Sequence, residues 1–144
     1  MNCLIIIPMG IAFLWAGLSL GGSLVAAPAK FQAPSLSLPM ALEVGRAQFR
    51  WVGVTEAALA VALSVSVFLI VPGAWHWAAV PVTIFAIQWL VLMPPLDART
   101  TQVIAGQAGE GSDLHLFYIC FEIAKLLALV LAGLMLAREL AHSA

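Results

Sequence analysis

Four strongly polar side chains lie inside long apolar stretches of the sequence, and they are the residues best suited to chemistry. They are Glu56, Gln88, Glu122 and Lys125. A charged group at the centre of a bilayer costs about 2.5–3.5 kcal/mol on the insertion scale, so such a group is a functional hypothesis by default. A carboxylate at that depth can accept a proton or a cation, and an ammonium group can act as its counter-ion. These residue types therefore indicate a ligand-binding site for a small solute or ion.

The spacing of the charged residues predicts how they pair. Glu122 and Lys125 are three residues apart in the sequence, which allows an ion pair on one helix face. Glu56 then carries a remaining negative charge, and we expect Arg50 or Arg99 to offset it.

The composition predicts the kind of protein that holds these side chains. Hydrophobic residues make up 63% of the 144 residues and charged residues 9%, whereas a soluble domain carries about 25% charged residues. This composition excludes a soluble globule, a disordered chain and a nucleic-acid-binding protein. It predicts a single transmembrane domain over residues 1–144, with the lipid bilayer as its partner.

Four apolar stretches have about the 20 residues that a helix needs to cross a bilayer. They predict an all-α fold, an integral membrane four-helix bundle. The predicted spans are residues 4–27, 51–71, 77–93 and 116–137. We expect the first stretch to be retained and not cleaved as a signal peptide, because no positive charge precedes it and its apolar run is too long for a signal core.

Prolines predict where the helices end. Pro28 and Pro34 are expected to close the first helix, Pro72-Gly73 the second and Pro94-Pro95 the third. Ser37 followed by Pro39 is typical of a helix start. The second helix is therefore predicted to begin near Pro39 and to project from the membrane before it enters at residue 51.

The basic residues predict the orientation. The two larger loops carry Lys30, Arg46, Arg50 and Arg99. Only Arg138 lies on the opposite side, beside the C-terminus. Because cytoplasmic loops carry the excess of Lys and Arg, loops 28–50 and 94–115 are predicted to be cytoplasmic. Both termini are then outside, in a multi-pass protein of the cell (inner) membrane.

This orientation places the polar residues at one level. With a rise of about 1.5 Å per residue, Glu56 and Glu122 lie at similar depths, about 8–9 Å from the cytoplasmic side. Lys125 lies about one turn deeper, and Gln88 approaches the same level from the third helix. We predict a polar pocket that opens to the cytoplasm. Its predicted rim is Arg46, Arg50, Arg99 and His115.

The pocket leaves three roles open. The polar groups can be a structural network that locks the helices together, a ligand or ion site, or an enzyme site. No catalytic grouping is apparent, and neither the cysteines nor the histidines have the spacing of metal ligands. We therefore expect no catalytic residue, no metal and no cofactor.

Small residues indicate packing surfaces. Gly10, Gly17 and Gly21 form one stripe on the first helix, and Gly17 with Gly21 makes a GxxxG pair. Such a stripe predicts close helix packing. The partner is either another helix of the same bundle or a second copy of the chain, in a homo-oligomer.

Three segments resemble the transmembrane protein 205-like group and the related bacterial membrane proteins of unknown function. They are Pro94-Pro95-Leu96-Asp97-Ala98-Arg99-Thr100-Thr101, Leu114-His115, and the stretch from Gly21-Gly22-Ser23 to Ala27-Pro28-Ala29. The resemblance covers the whole chain as a four-helix plan. It implies a role in traffic or export and directs attention to Arg99 and His115.

A second likeness concerns the membrane-bound eicosanoid and glutathione enzymes, whose second helix has an Arg…Asn…Glu pattern. Arg46 and Glu56 match the ends of this pattern. Gly53 stands where the asparagine is expected, and Phe49 replaces a basic residue, so the groups expected to hold glutathione are missing.

The leading functional hypothesis is a non-enzymatic membrane protein that binds, or helps to move, a small solute or ion. In this role Glu56 and Glu122 accept protons or cations, and Lys125 is the internal counter-ion. Arg99 and His115 gate the pocket or recognise an anionic group. The alternatives are a structural or assembly subunit of a membrane complex and a glutathione-type transferase.

Overall fold

In a computed structural model that describes residues 2–107 and 113–142, the described chain forms four long helices. Their bounds are α1 Cys3–Gln32, α2 Leu38–Ile70, α3 Pro72–Ile104 and α4 Leu114–His142. Each helix is long and apolar enough to cross a membrane. The prediction of an all-helical fold with four apolar helices is confirmed.

The second helix is as predicted at both ends. It begins at Leu38, with Pro39 in its first turn and Ser37 in an extended conformation before it. Proline is well suited to this position because the first N–H groups of a helix have no intrahelical acceptor. The helix ends at Ile70, and Pro72 opens the short turn that leads into the rest of α3.

The predicted end of the first helix is wrong at Pro28, because α1 continues through this proline, and it is close at Pro34, because α1 ends at Gln32. The predicted end of the third helix is wrong, because α3 continues through Pro94 and Pro95 to Ile104. The winding of α1 widens to a π-helix over Ser19–Ala26, and that of α3 does so over Gln88–Leu92. Pro28 and the pair Pro94-Pro95 fall in the first turn of the α-helical segments that follow. There the hydrogen bond that proline cannot donate is not required.

The four helices pack in chain order around a common core. α1 packs against α2 and α4, and α3 packs against the same two helices. Across the centre, the rings of Trp15 from α1 and Phe85 from α3 meet edge to face, with centroids 5.8 Å apart. Trp15, Leu63, Leu129 and Leu136 are fully buried. The core is therefore apolar over most of its length.

The glycine stripe of α1 lies outside this core. Gly10, Gly17 and Gly21 are exposed, and an added Cβ at any of them would meet no atom within 4 Å. The prediction of a packing seam inside the bundle is therefore wrong for this stripe. The inner face of α1 uses Ala12 and Ala16 instead. A homo-oligomer through the stripe stays a prediction.

One glycine of α2 is required by close packing. An added Cβ at Gly53 would overlap the ring of Trp89 on α3, and Gly53 is buried. The indole of Trp89 therefore lies directly over the backbone of α2. This contact joins the two helices at the level where α3 is wound as a π-helix.

We predict that Gly53→Ala destabilises the protein by about 1–3 kcal/mol, because an added methyl group in a well-packed position forces the neighbours to move. The thermal unfolding midpoint of the purified protein measures the effect. Gly73→Ala is the control, because open space surrounds Gly73. Equal midpoints for the two variants would contradict the prediction.

Candidate functional site

A buried ion cluster joins α2 and α4. Lys125 Nζ lies 2.6 Å from Glu56 Oε1 and 3.0 Å from Glu122 Oε2. The residues are 0%, 3% and 1% exposed, respectively. The predicted pair of Glu122 and Lys125 is therefore confirmed. The expectation that Glu56 needs Arg50 or Arg99 is corrected, because Lys125 pairs with both carboxylates.

Hydrogen bonds from α1 complete the surroundings of Glu56. Trp15 Nε1 donates to Glu56 Oε1 over 3.0 Å, and Ser19 Oγ donates to the same oxygen over 2.9 Å. With Lys125, this oxygen accepts three interactions. Charge-assisted hydrogen bonds of this kind compensate for the lost hydration of a buried carboxylate.

The third helix reaches the cluster through Gln88. The sequence predicted that Gln88 approaches the level of Glu56 and Glu122. Gln88 Nε2 donates to Glu122 Oε2 over 2.8 Å and approaches the carbonyl oxygen of Tyr118 at 3.5 Å. The ring of Phe85 lies 5.7 Å from Lys125 Nζ. All four helices therefore contribute to one polar cluster.

The two π-helical segments begin at the cluster. Ser19 is the first residue of the π segment of α1, and Gln88 is the first residue of the π segment of α3. π turns often occur at functional sites, where they redirect side chains. Both segments here start at a residue that binds a cluster carboxylate, so the change of winding accompanies the polar contacts.

Two oxygens of the cluster lack a partner. Gln88 Oε1 and Glu122 Oε1 are buried and accept no hydrogen bond within the described part of the chain. Buried polar atoms are nearly always paired, so an unpaired one requires an explanation such as a water, an ion or a functional role. With both carboxylates ionised, the cluster also carries one negative charge more than Lys125 neutralises.

A cavity of about 700 Å³ opens beside the cluster, at the end of the bundle that carries Lys30, Arg46 and His115. Glu122 and Tyr118 line its base, together with Ser23. Most of the other lining residues are apolar, and they include Phe31, Phe49, Leu42, Trp89, Met93, Leu96 and Ile119. A cavity of this size falls within the range of about 300–1,000 Å³ typical of small-molecule sites.

A second, much smaller cavity lies beside the cluster. It measures about 10 Å³ and is lined by Glu56 and Gln88 among aromatic residues. Such a space is about the minimum for a single water molecule.

The cavity mouth is lined by charged residues, as the sequence predicted in part. Arg46, Arg50 and His115 line the cavity, and Lys30 and Asp97 join them. The fourth predicted rim residue, Arg99, is half-buried and is not part of the lining. This placement corrects its predicted position.

The cations at the mouth differ in what they bind. Arg46 Nε forms an ion pair of 2.8 Å with Asp97, and another nitrogen of its guanidinium donates to Thr101 Oγ1 over 2.8 Å. Lys30 Nζ donates to Gln48 Oε1 over 3.4 Å. The exposed side chains of Arg50 and His115 make no ion pair or hydrogen bond with the described residues.

Sequence reasoning missed Trp15, Ser19 and Lys30 as site residues. An apolar stretch gives no reason to single out one tryptophan or one serine, because neither is costly in a membrane helix. Lys30 was considered only for orientation. Among the described residues, no group of three or more His, Cys, Asp or Glu side chains could hold a metal ion.

We predict that Lys125→Met costs about 3–5 kcal/mol, because it leaves two buried carboxylates without a counter-charge. Chemical unfolding of the purified variant measures this loss. The matched control is the triple variant Lys125→Met, Glu56→Gln, Glu122→Gln, in which no buried charge remains. It should regain most of the stability, and a triple variant as unstable as the single one would contradict the shared ion pair.

Comparison with protein-family models, curated proteins and solved structures returned no match. The transmembrane protein 205-like resemblance of the short segments therefore stays a prediction.

Proposed function

We propose that the protein is a multi-pass protein of the cell (inner) membrane that binds a small solute or ion in the large cavity and helps to move it. The observation that carries this proposal is the position of Glu122. This residue belongs to the buried ion cluster and also lines the cavity. A ligand in the cavity can therefore affect the charge balance of the cluster.

The incomplete pairing of the cluster supports a functional role over a purely structural one. A network selected only to lock helices should have every polar atom satisfied. Glu122 Oε1 and Gln88 Oε1 have no partner among the described residues. A proton or cation taken up at Glu122 would provide the missing partner and reduce the excess negative charge. Glu56 is the second acceptor, and Lys125 is the internal counter-ion.

The membrane setting of the proposal rests on the four long apolar helices and on the distribution of basic residues. In this arrangement loops 28–50 and 94–115 face the cytoplasm, both termini are outside, and the cavity opens inward. His115, which lines the cavity, and Arg99, which lies outside its lining, recognise an anionic group or gate the cavity.

A structural or assembly subunit is the second candidate. The contacts of all four helices with the ion cluster favour it, because such a network fixes the packing of helices in a membrane. The exposed glycine stripe at Gly10, Gly17 and Gly21 provides a surface for a second copy or another subunit. The transferase alternative gains no support, because Arg46 is paired with Asp97.

We predict that Glu56→Gln and Glu122→Gln accumulate at the normal level but lose uptake or a growth phenotype. In each variant Lys125 keeps one carboxylate partner, so the fold should persist, while the acceptor for a proton or cation is lost. Expression level and solute uptake in a deletion strain measure the two effects. Variants that retain activity, or that fail to accumulate, would favour the structural candidate.

The orientation predicts how inserted cysteines react. In a background with Cys3 and Cys120 changed to serine, Ser35→Cys and Gln107→Cys should resist an impermeant maleimide in intact cells and react after lysis. Gly73→Cys is the matched control and should react in intact cells. Labelling of positions 35 and 107 from outside would show that the orientation is wrong.

A further inference from the structure

We propose that the ligand of the large cavity is an amphipathic organic anion, with a carboxylate or phosphate group at the mouth and an apolar body inside. This inference rests on the proposed solute-binding function and names the chemical class of the solute. It is carried by the charges at the mouth, the chemistry of the walls and the volume of the cavity.

The charges at the mouth favour an anion. Among the described residues, Lys30, Arg46 and Arg50 line the mouth with one carboxylate, that of Asp97, and Glu122 lies at the base. Asp97 is already paired with Arg46, so the charge of Arg50 has no partner within the described chain. A guanidinium group binds a carboxylate or phosphate through two parallel hydrogen bonds.

Arg50 and His115, which have no described partner, line the same cavity from two different helices. Arg50 lies one turn after Arg46 on α2, and His115 lies at the start of α4. Both Arg50 and His115 line the cavity and bind no other described side chain. An acidic group between them would gain a charge-assisted hydrogen bond from Arg50 and a hydrogen bond from the imidazole.

The ammonium group of Lys30 is held close to the same space. Lys30 Nζ lies 5.3 Å from the ring centre of Phe31 and 5.2 Å from that of Phe49. Cation–π contacts of this kind position a cation without neutralising it. Lys30 therefore adds positive charge at the mouth while its two aromatic neighbours form part of the apolar wall.

The apolar walls and the large volume of the cavity favour a ligand with an apolar body. A phosphate ion or a hydrated cation would fill only a small part of about 700 Å³ and would leave the aromatic and aliphatic walls in contact with water. Burial of an apolar chain against Leu42, Trp89, Met93 and Leu96 removes that surface from water, which favours binding. An acid with an alkyl chain provides both an anionic group for the mouth and an apolar body for the walls.

The test measures equilibrium binding of radiolabelled decanoate to the full chain in phosphatidylcholine nanodiscs, with empty discs subtracted. We expect saturable binding that decyl phosphate displaces at similar concentrations. Acetate and inorganic phosphate should require at least about a hundredfold more, because they lack the apolar body. Decanol should compete at least about tenfold more weakly, because it lacks the charge.

Two variants locate the ligand. Arg50→Gln should weaken decanoate binding about tenfold or more, by loss of a charge-assisted hydrogen bond. Arg138→Gln is the matched control, because Arg138 is exposed near the other end of α4, and its binding should equal that of the unchanged protein. Leu96→Trp narrows the cavity at its wall and should weaken decanoate binding, while the thermal unfolding midpoint is kept.

The source of the acid is a separate arm of the test. If phosphatidylglycerol in the discs displaces decanoate, the ligand is an anionic lipid of the bilayer. If it does not, the ligand is a soluble acid. Either result supports the proposed class.

Three results would overturn the inference. They are displacement by decyltrimethylammonium as strong as by decyl phosphate, displacement by acetate or inorganic phosphate at the concentration of decyl phosphate, and binding unaffected by Arg50→Gln. Each of them leaves the broader solute-binding proposal standing. That proposal fails separately, if Glu122→Gln retains uptake.

Discussion

The arrangement of the four helices depends on one shared ammonium group. Lys125 on α4 pairs with Glu122 on its own helix and with Glu56 on α2, across the centre of the bundle. Burying three charges costs several kcal/mol per ion unless close pairing and further hydrogen bonds compensate. Trp15 and Ser19 supply these hydrogen bonds from α1, and Gln88 supplies one from α3. A helix displaced at this level would leave a buried charge with fewer partners, so the cluster favours one register of the four helices.

The parts of α1 and α3 that lie beyond the cluster form much of the cavity. The π turns of α1 and α3 begin at Ser19 and Gln88, and both helices then continue through prolines. Beyond the prolines, the continued segments contribute Phe31 from α1 and Leu96 from α3 to the cavity lining. If the prolines had ended these helices, these two parts of the apolar wall would be absent. The cavity lining therefore depends on the continuation of both helices past their prolines.

The sequence predicted the site residues whose charge is energetically unfavourable in a membrane span, and it missed the site residues without such a charge. The meeting of Glu56, Glu122 and Lys125 was predictable because a charge in an apolar span requires a partner. The roles of Trp15 and Ser19 were not, because neither residue carries such a cost. Proline normally indicates the end of a helix. The prediction failed at Pro28 because a π-helical segment precedes it, and no pattern in this sequence indicates that segment. The glycine stripe was wrong as a packing seam inside the bundle, because α1 turns the face with Trp15 toward the cluster and leaves Gly10, Gly17 and Gly21 exposed.

The distribution of charge between the cluster and the mouth bears on how a ligand would enter. Glu56 and Glu122 outnumber Lys125 at the base, whereas Lys30, Arg46 and Arg50 outnumber Asp97 at the mouth. An anionic group is attracted to the mouth and repelled by the base, so in the proposed complex it stays beside Arg50 while its apolar body extends toward Tyr118. A cation meets the opposite field and must pass the basic residues first. Uptake of a proton by Glu122 would remove the excess negative charge below and weaken the repulsion. In the proposed transport, binding at the mouth and passage beyond the cluster would therefore be separate steps, and the second would depend more strongly on the charge state of Glu122.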